Sequence, residues 1–321
     1  MHVMKSFPKA ETKPLRNIID IRVVDKNFIE RVFSRAEMMT PRHYDDTILR
    51  GKRIAWLGRQ PSTRTMMSFE SATQDLGGMF FRFPYGNSSE EKNESPEDSI
   101  RVVSRSHDII VIRAPDQDFP WNAATIAMQN GVCVINAGNG PDQHPTQTII
   151  DLFTVRKKRG RIEGLNFLIA GDLGRGRAPR TLEMGLAAHY PKNTVYRCPC
   201  PGLEMGEDVV KYSASRGLKT YNIKSIGEVV GDIDVFYLTR LQSEVSLKGI
   251  PPDLNHYPVL TPEIAAKAKS EALFLHPLPR DTMRELPYAI DVLRQAVYMT
   301  DQLDAHGQVR KAILQELLLG K

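Results

Sequence analysis

The apolar run Ile54-Ala55-Trp56-Leu57 breaks at Arg59-Gln60-Pro61-Ser62-Thr63-Arg64-Thr65, and a helical pattern carrying Met66, Phe69 and Leu76 follows. Gly77-Gly78 stand where a C-terminal glycine belongs, and a second apolar run, Met79 to Phe83, comes next. Strand, helix and strand at this spacing imply a parallel sheet. Ser62 and Thr63 occupy N-cap positions, and with Thr65 and the Arg64 guanidinium they converge on the first turn of the helix. Free N–H groups and the helix dipole favour an anion there. A simple cap has no need of a permanently charged, bidentate arginine, so phosphate is the natural guest.

The rest of the chain repeats the pattern. Asp25 caps an amphipathic helix bearing Phe28, Ile29, Val32, Phe33 and Ala36. The polar stretch between Pro84 and Pro96 predicts an exposed loop. A helix over about 96–104 leads to the strand Asp108 to Ile112, which ends at Arg113, a cation at the strand end where α/β folds bind ligands. A helix over 121–129 and the strand Val132 to Asn136 complete the unit. His144-Pro145-Thr146-Gln147 opens a helix with proline at its first position. A second unit starts at Leu165 to Ala170, and Arg177 follows at another strand-to-helix junction. Strands over 235–238 and 272–275 lead into Thr239-Arg240-Leu241-Gln242-Ser243-Glu244 and His276-Pro277-Leu278-Pro279-Arg280. The last helix carries Val309, Ile313, Leu314, Leu317 and Leu318 on one face.

Composition narrows the function classes. At 321 residues, 41% hydrophobic and 25% charged, the chain suits two modest globular domains. No apolar run approaches the roughly 20 residues that span a bilayer, and Met1 to Ser6 lack the apolar core of a signal peptide, so a cytoplasmic enzyme is expected. Cys133, Cys198 and Cys200 are expected as reduced thiols, with no metal site. The 43 basic and 38 acidic residues form no long blocks, which favours a small anionic substrate over nucleic acid or a membrane. Gly171-Asp172-Leu173-Gly174-Arg175-Gly176 suggests a dinucleotide loop. Its glycine order is G-x-x-G-x-G, however, and the next strand, near 194–197, lacks the acidic residue that holds a ribose, which argues against a nicotinamide enzyme.

Taken in order, Ser62-Thr63-Arg64-Thr65, Arg113, His144-Pro145-Thr146-Gln147, Gly171-Asp172-Leu173 with Gly176-Arg177, Thr239 to Glu244 and His276 to Arg280 resemble the aspartate branch of the aspartate/ornithine carbamoyltransferase superfamily. The ornithine branch would show S-M-G and H-C-L-P instead. The resemblance spans nearly the whole chain. It implies two doubly wound α/β domains with parallel sheets: a carbamoyl-phosphate domain over 1–143 and an aspartate domain over 144–291. The segment 292–321 would return as a helix to the first. It also implies a homotrimer with shared sites and no cofactor or metal in this chain.

Residue by residue, the resemblance puts Ser62, Thr63, Arg64 and Thr65 on the phosphate. Thr65, Arg113 and His144 fall on the carbonyl oxygen that becomes an oxyanion, and Gln147 with the backbone carbonyls of Pro277 and Leu278 on the carbamoyl amide. Arg177, Arg240 and Gln242 fall on the two carboxylates of aspartate, and Ser88 and Lys92 enter a neighbouring chain's site. Two positions depart from the family pattern: Met66 replaces a second cradle arginine, and Gln60 replaces a carboxylate. A non-catalytic binding or scaffolding relative is the alternative these departures suggest.

Overall fold

The computed structural model describes residues 17–40, 45–84, 94–242 and 252–319; Ser88, Lys92, Ser243 and Glu244 lie outside them. Helix α1 (Lys26–Glu37) is capped by Asp25, whose side chain accepts from the Asn27 N–H. The chain then alternates β1 (Arg53–Gly58), α2 (Arg64–Asp75), β2 (Met79–Pro84), α3 (Pro96–Ser104), β3 (Ile109–Ala114), α4 (Phe119–Ala127) and β4 (Cys133–Asn139). Helix α5 (Pro145–Arg159) leads into β5 (Asn166–Gly171), α6 (Arg177–His189), β6 (Thr194–Pro199), α7 (Glu207–Ser215), β7 (Lys219–Asn222) and β8 (Val235–Leu238). The short α8 (Pro262–Ala265), β9 (Leu273–Leu275) and the long α9 (Asp301–Leu319) complete it.

The strands form two parallel sheets, ordered β2-β1-β3-β4 and β7-β6-β5-β8-β9. In each, the order reverses beside the first strand, so connections leave in opposite directions and open a crevice at the carboxyl ends. Ile54 to Leu57 of β1 are buried, as a strand covered on both faces requires.

Helix α9 packs on α1, α2 and α5. One buried apolar cluster runs from Trp56 and Phe69 through Phe153 and Ile313 to Phe167 and Tyr237, so the two sheets share a continuous core. All three cysteines are free and buried. Burial raises the Cys198 thiol to about 12 and Cys200 to about 11. Among the described residues no helix is long and apolar enough to cross a membrane.

Candidate active site

A cleft of about 330 Å³ lies where the carboxyl ends of the two sheets face each other. Every sequence-predicted site residue among the described residues lines it: Ser62, Thr63, Arg64, Thr65, Arg113, His144, Gln147, Arg177, Arg240, Gln242, Pro277 and Leu278. No described aspartate or glutamate does. Nor does any described group of three or more His, Cys, Asp or Glu side chains have an arrangement that could hold a metal.

The cradle differs from a capped helix end. Thr63 occupies the N-cap position of α2, but its backbone is already helical (φ −83°, ψ −62°) and its side chain makes no capping bond. Capping needs an extended residue there. The hydroxyl therefore does not consume a first-turn N–H, and Arg64 beside it is exposed. Partial desolvation at the edge of the cleft, then the charge of Arg240, lowers the Arg64 pKa from its ordinary value.

Arg113 owes its position to an irregularity in the first sheet. Ile112 pairs with Asn136 and Ala114 with Asn139, so β4 carries an extra residue opposite Arg113. Such a bulge interrupts the ladder. It leaves the Ala137 carbonyl to accept from Arg113 Nη1 at 2.9 Å. Gly138, at φ +120°, makes the space: a Cβ there would stand 2.6 Å from Arg177 Nη1 and 2.9 Å from Arg113 Nη1. Two guanidinium groups from different sheets thus approach one backbone point. Burial, then Arg177 and Arg64, pushes Arg113 down to about 9, a cost that a bound anion would relieve.

His144 begins α5, and its N–H donates to Thr181 Oγ1 of α6 at 2.9 Å. The ring is buried. Burial, followed by Arg113, Arg310 and Arg177, holds its pKa well below the usual histidine value, so it is a neutral imidazole at pH 7. Gln147, one turn on, donates Nε2 to Asp151 Oδ1 at 2.8 Å, which fixes which end of the amide is nitrogen. Tyr237 donates to the other Asp151 oxygen, and Gln302 Nε2 also donates to Oδ1. Burial lifts the Asp151 carboxyl to about 6 against these bonds.

Gln302 continues the network, its Oε1 accepting from the His276 N–H at 3.0 Å. The Leu278 N–H donates to His276 Nδ1 at 2.8 Å, which leaves Nε2–H to donate to Glu285 Oε1 at 3.1 Å. The Pro277-Leu278 segment is held against the cleft by these contacts.

In the second sheet Arg177 opens α6, and both its terminal nitrogens approach Gln60 Oε1, at 3.4 and 3.5 Å. Asp172, fully buried, accepts from the N–H groups of Arg175 and Gln242, each at 2.9 Å. This holds the Arg240-Leu241-Gln242 segment beside the turn after β5. The glycines of that turn serve packing: a Cβ on Gly171 would stand 2.2 Å from the Thr239 carbonyl oxygen, and one on Gly176 would stand 2.6 Å from that of Asp172. Met66 packs against the apolar core.

Sequence reasoning missed the contribution of α9. Gln302, His306 and Arg310 recur every fourth residue and so form one polar stripe along α9, beside the apolar face that carries Val309 and Ile313. Gln302 joins the Asp151 network and His306 lines the cleft. Arg310 is fully buried, 4.2 Å over the Phe69 ring. The four-residue period was the available signal.

The comparisons agree with this geometry. A family model for the carbamoyl-phosphate-binding domain of aspartate/ornithine carbamoyltransferases matches residues 16–157. The aspartate carbamoyltransferase catalytic subunit of Methanosphaerula palustris is 34% identical over 95% of this chain and 100% of its own length. The chain belongs to the aspartate/ornithine carbamoyltransferase family. The catalytic subunit from Thermococcus kodakarensis is 36% identical over 93% of this chain and 96% of its own length. Among solved structures, aspartate transcarbamoylase from Trypanosoma cruzi in complex with carbamoyl phosphate and aspartate superposes with a TM-score of 0.83. It is 27% identical, with 94% of this chain and 95% of that one covered. The cleft described above thus lies in a member of this carbamoyltransferase family, lined by arginines from both sheets.

Proposed function

We propose that the cleft transfers the carbamoyl group of carbamoyl phosphate to the α-amine of L-aspartate, giving N-carbamoyl-L-aspartate and phosphate. The observation that carries this reading is the approach of Arg113 and Arg177 to Gly138, which joins an anion cradle on one sheet to a second cationic site on the other, with no carboxylate lining the cleft among the described residues. Relatives named as aspartate carbamoyltransferase catalytic subunits at 34% and 36% identity support it over a non-catalytic role, and Met66, packed against the core, is accounted for by packing.

Ser62, Thr63, Arg64 and Thr65 hold the phosphate, and Thr65, Arg113 and neutral His144 donate to the carbonyl oxygen as charge develops on it. Donors already in place do not reorganise as the reaction proceeds. Gln147 has its nitrogen committed to Asp151, so its oxygen accepts from the carbamoyl NH₂ together with the Pro277 and Leu278 carbonyls. Arg177, Arg240 and Gln242 hold the two carboxylates of aspartate. The amine nitrogen attacks the carbonyl carbon, the carbon–oxygen bond to phosphate breaks, and the departing phosphate takes the amine's proton. Orientation and electrostatics thus supply the rate without a side-chain base.

The domains divide at 143/144 and 291/292, with α9 returning to the first. The working enzyme is a cytoplasmic homotrimer that needs no metal or organic cofactor. Ser88 and Lys92 reach the neighbouring chain's site. Purified protein supplied with both substrates should form carbamoyl aspartate in a colorimetric assay and should refuse ornithine. Absence of product with a folded protein, or efficient carbamoylation of ornithine, overturns this reading.

A further inference from the structure

Helix α9 brings a histidine to the cleft that no cradle motif contains. His306 lines the cleft with Arg64, Thr65 and His144, and it is half-buried. Among the described residues its ring has no protein hydrogen-bond partner. Four residues on, Arg310 lies fully buried, and among the described residues none of its three guanidinium nitrogens has a hydrogen-bond partner. An unpaired guanidinium in the interior is costly and persists where something offsets the charge. Stacking on Phe69, a residue of the cradle helix, supplies part of that offset.

The charges acting on His306 are Arg310 and Arg64, not the arginines at the aspartate end. Burial, followed by these two charges, pushes its pKa down to about 3, so the resting side chain is a neutral imidazole with one N–H donor. The described residues that line the cleft with it are cationic or neutral, a set that suits an anion.

We propose that His306 is a further ligand-binding residue, donating its ring N–H to a phosphoryl oxygen of carbamoyl phosphate while buried Arg310 adds an unneutralised positive charge behind it. This deepens the carbamoyl-transfer reading and rests on it. A dianion entering the cradle is the counter-charge that Arg310 lacks. The contact also ties α9, the helix that spans α1, α2 and α5, to occupancy of the phosphate position.

The test compares intact wild-type protein with His306→Ala, His306→Gln and His306→Phe. Calorimetry with inorganic phosphate should show affinity about tenfold weaker in the Ala and Phe variants, and within threefold of wild type in the Gln variant, whose amide can still donate. In assays the KM for carbamoyl phosphate should rise by a similar factor, while that for aspartate moves less than twofold. In nitrogen-detected spectra the imidazole resonance absent from His306→Gln should shift when phosphate is added to wild type. The Phe variant keeps the bulk of the ring and reads the contact should the Ala variant fail to fold. Phosphate affinity in Ala or Phe within twofold of wild type overturns the assignment, as does equal weakening of Ala and Gln. Phosphate binding that depends on His306 in a protein that makes no carbamoyl aspartate would sink the transfer reaction and leave the contact standing.

Discussion

Gln147 gives its amide nitrogen to Asp151 at 2.8 Å, so the carboxylate decides which face of that amide the cleft sees. Without it the amide can flip, and on the role proposed for Gln147 a donor would then face the donor NH₂ of the carbamoyl group. Asp151→Ala should therefore lower kcat/KM by about tenfold to a hundredfold, since one misplaced hydrogen bond in a buried site costs roughly 1–3 kcal/mol. Tyr237 and Gln302 also lose a partner, so the thermal midpoint should fall too. Steady-state kinetics and a melting curve check this. Unchanged kinetics in a destabilised protein would make Asp151 purely structural.

Gly138 is the second point at which one atom decides much. An alanine methyl would meet both arginines below van der Waals distance, at a backbone angle that costs an L-residue roughly 1–3 kcal/mol. The colliding atoms are the tips of flexible side chains, so Gly138→Ala should fold and instead spread Arg113 and Arg177. KM for both substrates should rise by about tenfold or more, because roughly 1.4 kcal/mol lost at either site has that effect. An effect on one substrate alone would refute their approach as the link between the two halves.

Local chemistry explains which parts of this architecture were legible in the sequence. The β1 loop, Arg113 and Pro145 sit at strand-to-helix junctions whose apolar runs and cap residues announce them. Strand β7 had no such signal: Lys219 to Asn222 form an edge strand that is largely exposed, so no apolar run marks it. The extra residue in β4 is likewise invisible locally, because it is a mismatch between two strands rather than a property of either. On α9 the apolar face dominated the pattern and hid Gln302, His306 and Arg310, of which Gln302 and Arg310 are also buried in the fold.

Acid stability provides a further check. Burial lowers the pKa values of His144, His189, His276 and His306 in the fold. A depressed folded value means that the unfolded chain binds protons first, so this stabilisation is complete above about 6.5 and is lost as pH falls below it. Asp151, raised to about 6, acts in the opposite sense: its contribution declines as pH rises from about 4 to 6. Burial also raises Asp142 and Asp172, which act in the same sense as Asp151, and four histidines outweigh these three carboxyls, so the urea midpoint should drop between pH 7 and pH 5. His306→Gln should flatten that drop. A slope identical to wild type would mean that His306 titrates alike in both states.

Shared sites are the strongest claim that the resemblance adds, and a mixing experiment isolates it. On the trimer proposal, Lys92 serves a neighbour's cleft while Arg113 serves its own. Lys92→Ala and Arg113→Ala should each be nearly inactive as pure trimers, since losing one transition-state contact costs about 3 kcal/mol, or over a hundredfold. Unfolding and refolding a one-to-one mixture creates some clefts whose main residues come from the Lys92 variant and whose loop comes from the Arg113 variant. Heterologous contacts round a closed three-fold ring pair each cleft with one neighbouring loop, so random assembly leaves about one quarter of sites intact. Activity should recover towards that fraction of wild type. If mixed trimers verified by mass stay as inactive as their parents, Lys92 acts within its own chain or at no site, and the shared cleft is refuted.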